Sequence, residues 1–248
     1  MTEHILLIAL TFLLAGLVKG VIGLGLPTVA MGLLGAAMPP AQAAALLLVP
    51  SFVTNIWQLF AGPRFLPLLR RLWGMMLGIG VGTWACSGLI AGGAAGLATA
   101  GLGAALLAYA AIGLARPGLR VAPGIQGWAG PLVGLATGAV TGATGVLVIP
   151  AVPYLAALGL ERDELVQALG LSFTTSTLAL GLGLAWHGAL AGPQGASLLG
   201  VSLLALAPAL LGMALGGALR ARVRPEVFRR GFFIGLAVLG AEILWRGL

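Results

Sequence analysis

Apolar residues run along the chain in long blocks, separated by short clusters of charge and by proline and glycine. The blocks cover residues 5–38, 41–61, 72–91, 94–115, 125–159, 165–190, 195–219 and 231–245. They lack the one-sided periodicity of a surface helix, and they are far longer than buried strands. A helix needs about 20 residues to cross the hydrocarbon core, so the pattern predicts membrane-spanning helices. The first and fifth blocks are too long for one crossing and carry internal glycines and proline, so each is expected to form a hairpin of two short or broken helices. Sustained alternation of apolar and polar positions is missing, which argues against a membrane β-barrel.

Composition agrees. Of 248 residues, 60% are hydrophobic and 8% charged, against roughly 25% charged in soluble domains. Too few charges are present to cover a water-facing surface. A single cysteine, Cys86, excludes a disulfide framework within one chain and any thiolate-based metal site. Two histidines, His4 and His187, leave little for a histidine metal centre, so neither metal nor cofactor is expected. The 41 glycines point to closely packed, interrupted helices. The net charge of +7 sits in gaps between apolar blocks, a placement unlike the basic stripe of a nucleic-acid-binding face. The N-terminal block carries Glu3 in place of a basic cluster and runs past the length of an export signal, so it is expected to be a retained first segment.

Arginine placement sets the expected orientation, because cytoplasmic loops accumulate Lys and Arg. Three basic loops qualify: Arg64, Arg70 and Arg71; Arg116 and Arg120; and Arg220, Arg222, Arg224, Arg229 and Arg230. The connections at 92–93 and 191–194 are uncharged and are assigned outside. Parity places the acidic loop Glu161–Glu164 inside and both termini outside, with Glu242 and Arg246 four apart on the last helix as an interfacial pair. On this count residues 1–122 run from outside to inside through a hairpin and three crossings, and residues 123–248 do the same in the opposite sense. The expected fold is all-α, a polytopic membrane protein of two inverted repeats, each a broken-helix hairpin plus three transmembrane helices.

The repeat is visible in the residues themselves. Gly16, Gly20 and Gly23 followed by Pro27 are answered by Gly138, Gly142 and Gly145 followed by Pro150. Further on, Ser51-Phe52-Val53-Thr54-Asn55 is answered by Ser172-Phe173-Thr174-Thr175-Ser176. With Gly16-Leu17-Val18-Lys19-Gly20-Val21-Ile22-Gly23-Leu24-Gly25-Leu26-Pro27 and its counterpart Gly138–Gly145, the chain resembles the sulfite exporter TauE/SafE family, also called the toluene sulfonate uptake permease family. The resemblance implies an all-helical transporter of sulfur-containing anions such as sulfite or organosulfonates.

Helices broken inside the membrane expose unpaired N–H groups with a partial positive charge, which favours an anion, and such backbone is tolerated only where it lines a cavity or is buried in protein. The expected breaks are Gly23–Pro27 and Thr144–Pro150. Candidate substrate-binding residues are Lys19, Gly20, Gly23, Gly25, Pro27, Thr54 and Asn55 from the first half, and Thr141, Thr144, Gly145, Ser172 and Thr175 from the second. Lys19 is the sole charge deep in the first block and either neutralises an anion or snorkels to the lipid headgroups. Gln58 and Trp57 are further candidates for lining a path. His187 and Glu242 are candidates for a proton relay, against plainer roles at the interface and in the pair with Arg246.

The leading functional expectation is a secondary transporter or facilitator in a bacterial inner membrane, moving a small anion with or without proton or ion coupling. No phosphate-binding G-x4-G-K-[ST] loop is present. Two alternatives are an intramembrane serine protease using Ser172 and His187, and a non-transporting channel or partner subunit. The protease is disfavoured because fifteen residues on one helix span about 22 Å.

Overall fold

The chain is described by a computed structural model covering residues 2–248 apart from 93, 94, 116, 117, 119, 221 and 223. Met1, Gly93 and Arg116, which belong to the topology expected from sequence, lie outside the described residues. The described residues form ten helices and no strand. They are α1 (Thr2–Ile22), α2 (Leu26–Gly35), α3 (Pro40–Phe60), α4 (Phe65–Ala91), α5 (Ala95–Ala115), α6 (Pro123–Thr144), α7 (Ala151–Ala157), α8 (Arg162–Trp186), α9 (Gly192–Leu219) and α10 (Pro225–Gly247). Six of them, α1, α3, α4, α5, α8 and α9, are long and apolar enough to cross a bilayer, and the protein is a polytopic membrane protein. A long helix, a short one and three long ones follow one another twice, as α1–α5 and α6–α10.

Proline and glycine set the helix starts and ends. Proline stands in the first turn of α2, α3, α6, α9 and α10, where its missing N–H costs no intrahelical bond. Between α1 and α2 the chain passes through Gly23 and Gly25 at φ of +80° and +106°, a region that side chains with a Cβ avoid. Gly145, at φ +74°, closes α6 in the same way, its N–H donating to the Thr141 carbonyl at 2.8 Å. Helix α8 starts on a capping box between Glu161 and Glu164.

Both hairpins and two helix starts differ from the sequence expectation. In each hairpin the first arm is a full-length helix of 21 or 22 residues and the second is short, 10 residues in α2 and 7 in α7. Helix α4 starts seven residues before the apolar block and α10 six residues before its block. Hydropathy ends a segment at its arginines, whereas Arg is a good helix former whose charged tip extends beyond the apolar zone.

Helix α1 packs on α9, α6 on α4, α3 on α8 and α5 on α10, with α2 laid between α1 and α3. Two of these pairs are built on glycine. A Cβ at Gly16 or Gly20 would fall on the carbonyl of Ala209 or Met213 in α9, and one at Gly212 or Gly216 on that of Leu13 or Leu17 in α1. Gly134, Gly138 and Gly142 of α6 meet the Met75, Ile79 and Thr83 carbonyls of α4 in the same way. Backbones at such separations gain dispersion and leave no room for a side chain. Pro50 inside α3 frees the Leu46 carbonyl, and Ser202 of α9 repairs the gap. Its hydroxyl donates to Leu46 O at 2.7 Å and accepts from the Val49 N–H at 3.1 Å.

Candidate functional site

The C-terminal turn of α1, the first break and the C-terminal half of α3 line an open cavity of about 450 Å³, whose other walls are the start of α8 and the end of α9. That volume is in the range of small-ligand pockets. Lys19, Gly20, Gly23, Thr54, Gln58, Arg162 and Arg220 are among its lining residues, and among the described residues no acidic side chain lines it.

Lys19 is 5% exposed, because α1 continues through it to Ile22 and turns its side chain onto α3. Its ammonium donates to the Thr54 hydroxyl at 3.1 Å and to the Asn55 side-chain carbonyl. Both acceptors are neutral, and among the described residues no carboxylate pairs with Lys19. The side chain is therefore directed into the protein and not toward headgroups. Its acceptors are held in turn: the Thr54 hydroxyl donates to the Pro50 carbonyl at 2.7 Å, and the Asn55 amide reaches the Thr177 hydroxyl of α8 at 3.5 Å. A buried ammonium without a counter-charge is costly unless an anion joins it. Arg162 and Arg220 stand exposed at the rim, adding positive potential where a ligand would enter.

Gln58 ties the cavity wall to the break. Its amide donates to the Gly23 carbonyl at 3.1 Å, while its own carbonyl oxygen is buried without a partner. Pro27 and Gly25 open α2, which has no side-chain cap, so its first-turn N–H groups lack intrahelical partners. Buried polar atoms without a partner gather on the same pair of helices: Ser51 and Gln58 on α3, and Ser172, Thr174 and Ser176 on α8.

The second-half candidates are not brought to this cavity. The Thr141 hydroxyl bonds the Thr137 and Val146 carbonyls at 2.8 and 3.1 Å. The Thr144 hydroxyl donates to the Val140 carbonyl and accepts from the Val146 N–H. Both thus hold the second break together, and Gly145 lies against the Met31 side chain of α2. Thr175 bonds the Leu171 carbonyl and the Met76 sulfur at the α4 side of α8. Ser172 is fully buried and unpaired. His187, an exposed residue ending α8, sits by the Ser87 hydroxyl at 3.4 Å and the Gly183 carbonyl at 2.9 Å. Ser172 and His187 lie on one continuous helix, so the protease dyad has no geometric support. Glu242 pairs with Arg246 at the surface. Trp57 lines the cavity but is 73% exposed.

Sequence reading missed three residues. Arg162 and Arg220 counted there only as topology markers, yet they form the rim. Gln167 clamps the end of α3, donating to the Leu59 and Gly62 carbonyls at 2.8 and 2.7 Å and accepting from the Arg64 N–H at 3.0 Å. The available signal was a lone amide inside an apolar block, where it must find partners.

No curated protein and no solved structure matches the chain. The family model described as sulfite exporter TauE/SafE matches residues 8–243, and a match across nearly the whole length, on the helices that carry this cavity, establishes that the chain belongs to that family.

Proposed function

We propose that the protein is a secondary transporter or facilitator that moves a small sulfur-containing oxyanion, such as sulfite or a short organosulfonate, through the cavity at the first helix break. Membership of a transporter family of sulfur anions supports the class. The observation that carries the assignment of the site is the Lys19 ammonium, buried at the cavity wall on neutral acceptors alone. In this reading the anion supplies the missing counter-charge. Thr54 and Asn55, which hold the ammonium, and the backbone at Gly23 offer further polar contacts. Arg162 and Arg220 draw the anion in.

The two halves, residues 1–122 and 123–248, are read as inverted repeats in one membrane domain. The packing scheme supports this: exchanging each helix for its counterpart turns the α1–α9 pair into α6–α4 and leaves α3–α8 and α5–α10 unchanged. Thr141, Thr144 and Gly145 then shape the second break as a structural counterpart of the first. The basic end is assigned to the cytoplasm of a bacterial inner membrane and both termini to the opposite side, following the arginine distribution.

Counterflow in proteoliposomes tests the function. Vesicles loaded with unlabelled sulfite or a short organosulfonate are expected to accumulate the labelled anion, with no accumulation in protein-free vesicles. Absence of counterflow for the whole series of sulfur oxyanions, with folded protein in the bilayer, would remove the proposal.

A further inference from the structure

The contacts of the two glycine-seated pairs match position by position. A Cβ at Gly16 would meet the Ala209 carbonyl and the Met213 nitrogen, and one at Gly138 the Ile79 carbonyl and the Thr83 nitrogen. In the other direction Gly212 faces Leu13 and Leu17, and Gly82 faces Leu135 and Ala139. In this register Lys19, Ile22 and Gly23 correspond to Thr141, Thr144 and Gly145, while Met213, Gly217 and Arg220 correspond to Thr83, Ser87 and Ile90.

The two sets are in opposite conditions. Around the basic cavity Ile22, Gly23 and Met213 are half-buried and Gly217 and Arg220 exposed, and a Cβ on Gly217 would meet nothing. Thr144, Gly145, Thr83, Ser87 and Ile90 are all buried. The matching space is filled by α4 against α8. A Cβ at Gly183 would fall 2.5 Å from the Ser87 side chain, the His187 ring lies over Gly88, and Trp84 meets Trp186 edge-on at 6.3 Å. The Thr83 hydroxyl is left there without a partner. This contact joins the ends of α4 and α8, whereas the basic cavity lies where α3 ends beside the start of α8, at Leu59 and Gly170. The two places are therefore at opposite ends of the bundle.

We infer that α4 and α8 part at Ser87 and Gly183 to form a second vestibule for the anion, open to the face of the membrane opposite the basic cavity and lined by Thr83, Ser87, Thr141 and Thr144. The inference rests on the reading of the halves as inverted repeats of a transporter: halves that make the same contacts can exchange arrangements, so a state with the first open and the second packed implies its converse. Parting a contact made by a glycine and a serine exposes little apolar surface, and it gives the Thr83 hydroxyl access to water. None of the corresponding positions carries a charge. The vestibule thus offers hydroxyl donors alone and holds an anion more weakly than Lys19 does.

A membrane-impermeant maleimide, applied to spheroplasts and to inverted membrane vesicles from cells expressing the full chain with Cys86→Ser, provides the test. Gly217→Cys is expected to be modified from one face only and Thr83→Cys from the other face only. Leu102→Cys, fully buried beside α2, is expected to stay unmodified. Gly183→Ala crowds Ser87 and is expected to speed modification of Thr83→Cys at least about five-fold, whereas Gly181→Ala, in ordinary contact with Leu48, should not. Thr83→Cys left unmodified from both faces, or modified from the same face as Gly217→Cys, overturns the inference. So does an unchanged rate in Gly183→Ala, or modification of Leu102→Cys as fast as Thr83→Cys, since the whole fold then loosens. No substrate enters the assay, so opposite-face modification without counterflow removes the transport reading alone, and counterflow without it removes the vestibule alone.

Discussion

Replacing Lys19 by methionine should move stability and transport in different directions. The substitution keeps the length of the side chain and deletes a charge whose burial costs several kcal/mol. Against that gain, the Asn55 side-chain carbonyl loses its donor, a penalty of about 1–3 kcal/mol, whereas the Thr54 hydroxyl keeps its bond to the Pro50 carbonyl. The two contributions are of similar size, so the fold should be as stable as wild type or somewhat more stable. Transport has no such offset. An oxyanion deprived of one charge-assisted contact loses about 1.5–3 kcal/mol, equivalent to a ten- to hundred-fold fall in apparent affinity, by about 1.4 kcal/mol per decade. Thermal unfolding of the purified protein and counterflow of labelled sulfite in proteoliposomes read the two effects separately. Wild-type counterflow in Lys19→Met would show that the ammonium does not meet the anion. A protein that no longer folds would show that Lys19 is there for structure.

Further outcomes follow from other parts of the molecule. Arg162→Gln and Arg220→Gln should each raise the half-saturating substrate concentration about two- to five-fold at low ionic strength, an effect that fades in high salt because both groups are exposed and screened. Counterflow titrations at two salt concentrations check this. Gly138→Ala places a Cβ on the Ile79 carbonyl and should destabilise the protein by about 1–3 kcal/mol, measured as a lower melting temperature, while Gly124→Ala, with open space around it, should not. Gln167→Leu removes the clamp on the end of α3 and should cost about 2–4 kcal/mol, with faster amide exchange concentrated at residues 59–64.

The breaks were readable because their cause is local. Gly23, Gly25 and Pro27, and Gly145 with Pro150, act through backbone φ and a missing N–H, which a sequence displays directly. Lys19 stood out for a similar reason, since a charge within an apolar block needs a partner wherever the chain goes. The partner itself was half visible. Thr54 and Asn55 drew notice as a polar cluster, but that α1 turns Lys19 onto them depends on how α1 and α3 meet. Arg162 and Arg220 lie 58 residues apart, and only packing of α8 and α9 on α3 brings them to one rim. The duplicated motif also proved divided in its duties. Gly16, Gly20, Gly138 and Gly142 seat neighbouring helices, while Gly23 and Gly145 turn the chain, a distinction that spacing does not encode.

The glycine-seated pairs have a mechanical consequence. At Gly16, Gly20, Gly212 and Gly216, α1 and α9 lie backbone against backbone, so rolling either helix drives a neighbouring side chain into the contact, and the same holds for α6 and α4 at Gly134, Gly138 and Gly142. Each pair travels as one stiff strut. Any rearrangement that opens the pocket to the opposite face of the bilayer must then occur along the seams between struts, including those where α3 meets α8 and α5 meets α10.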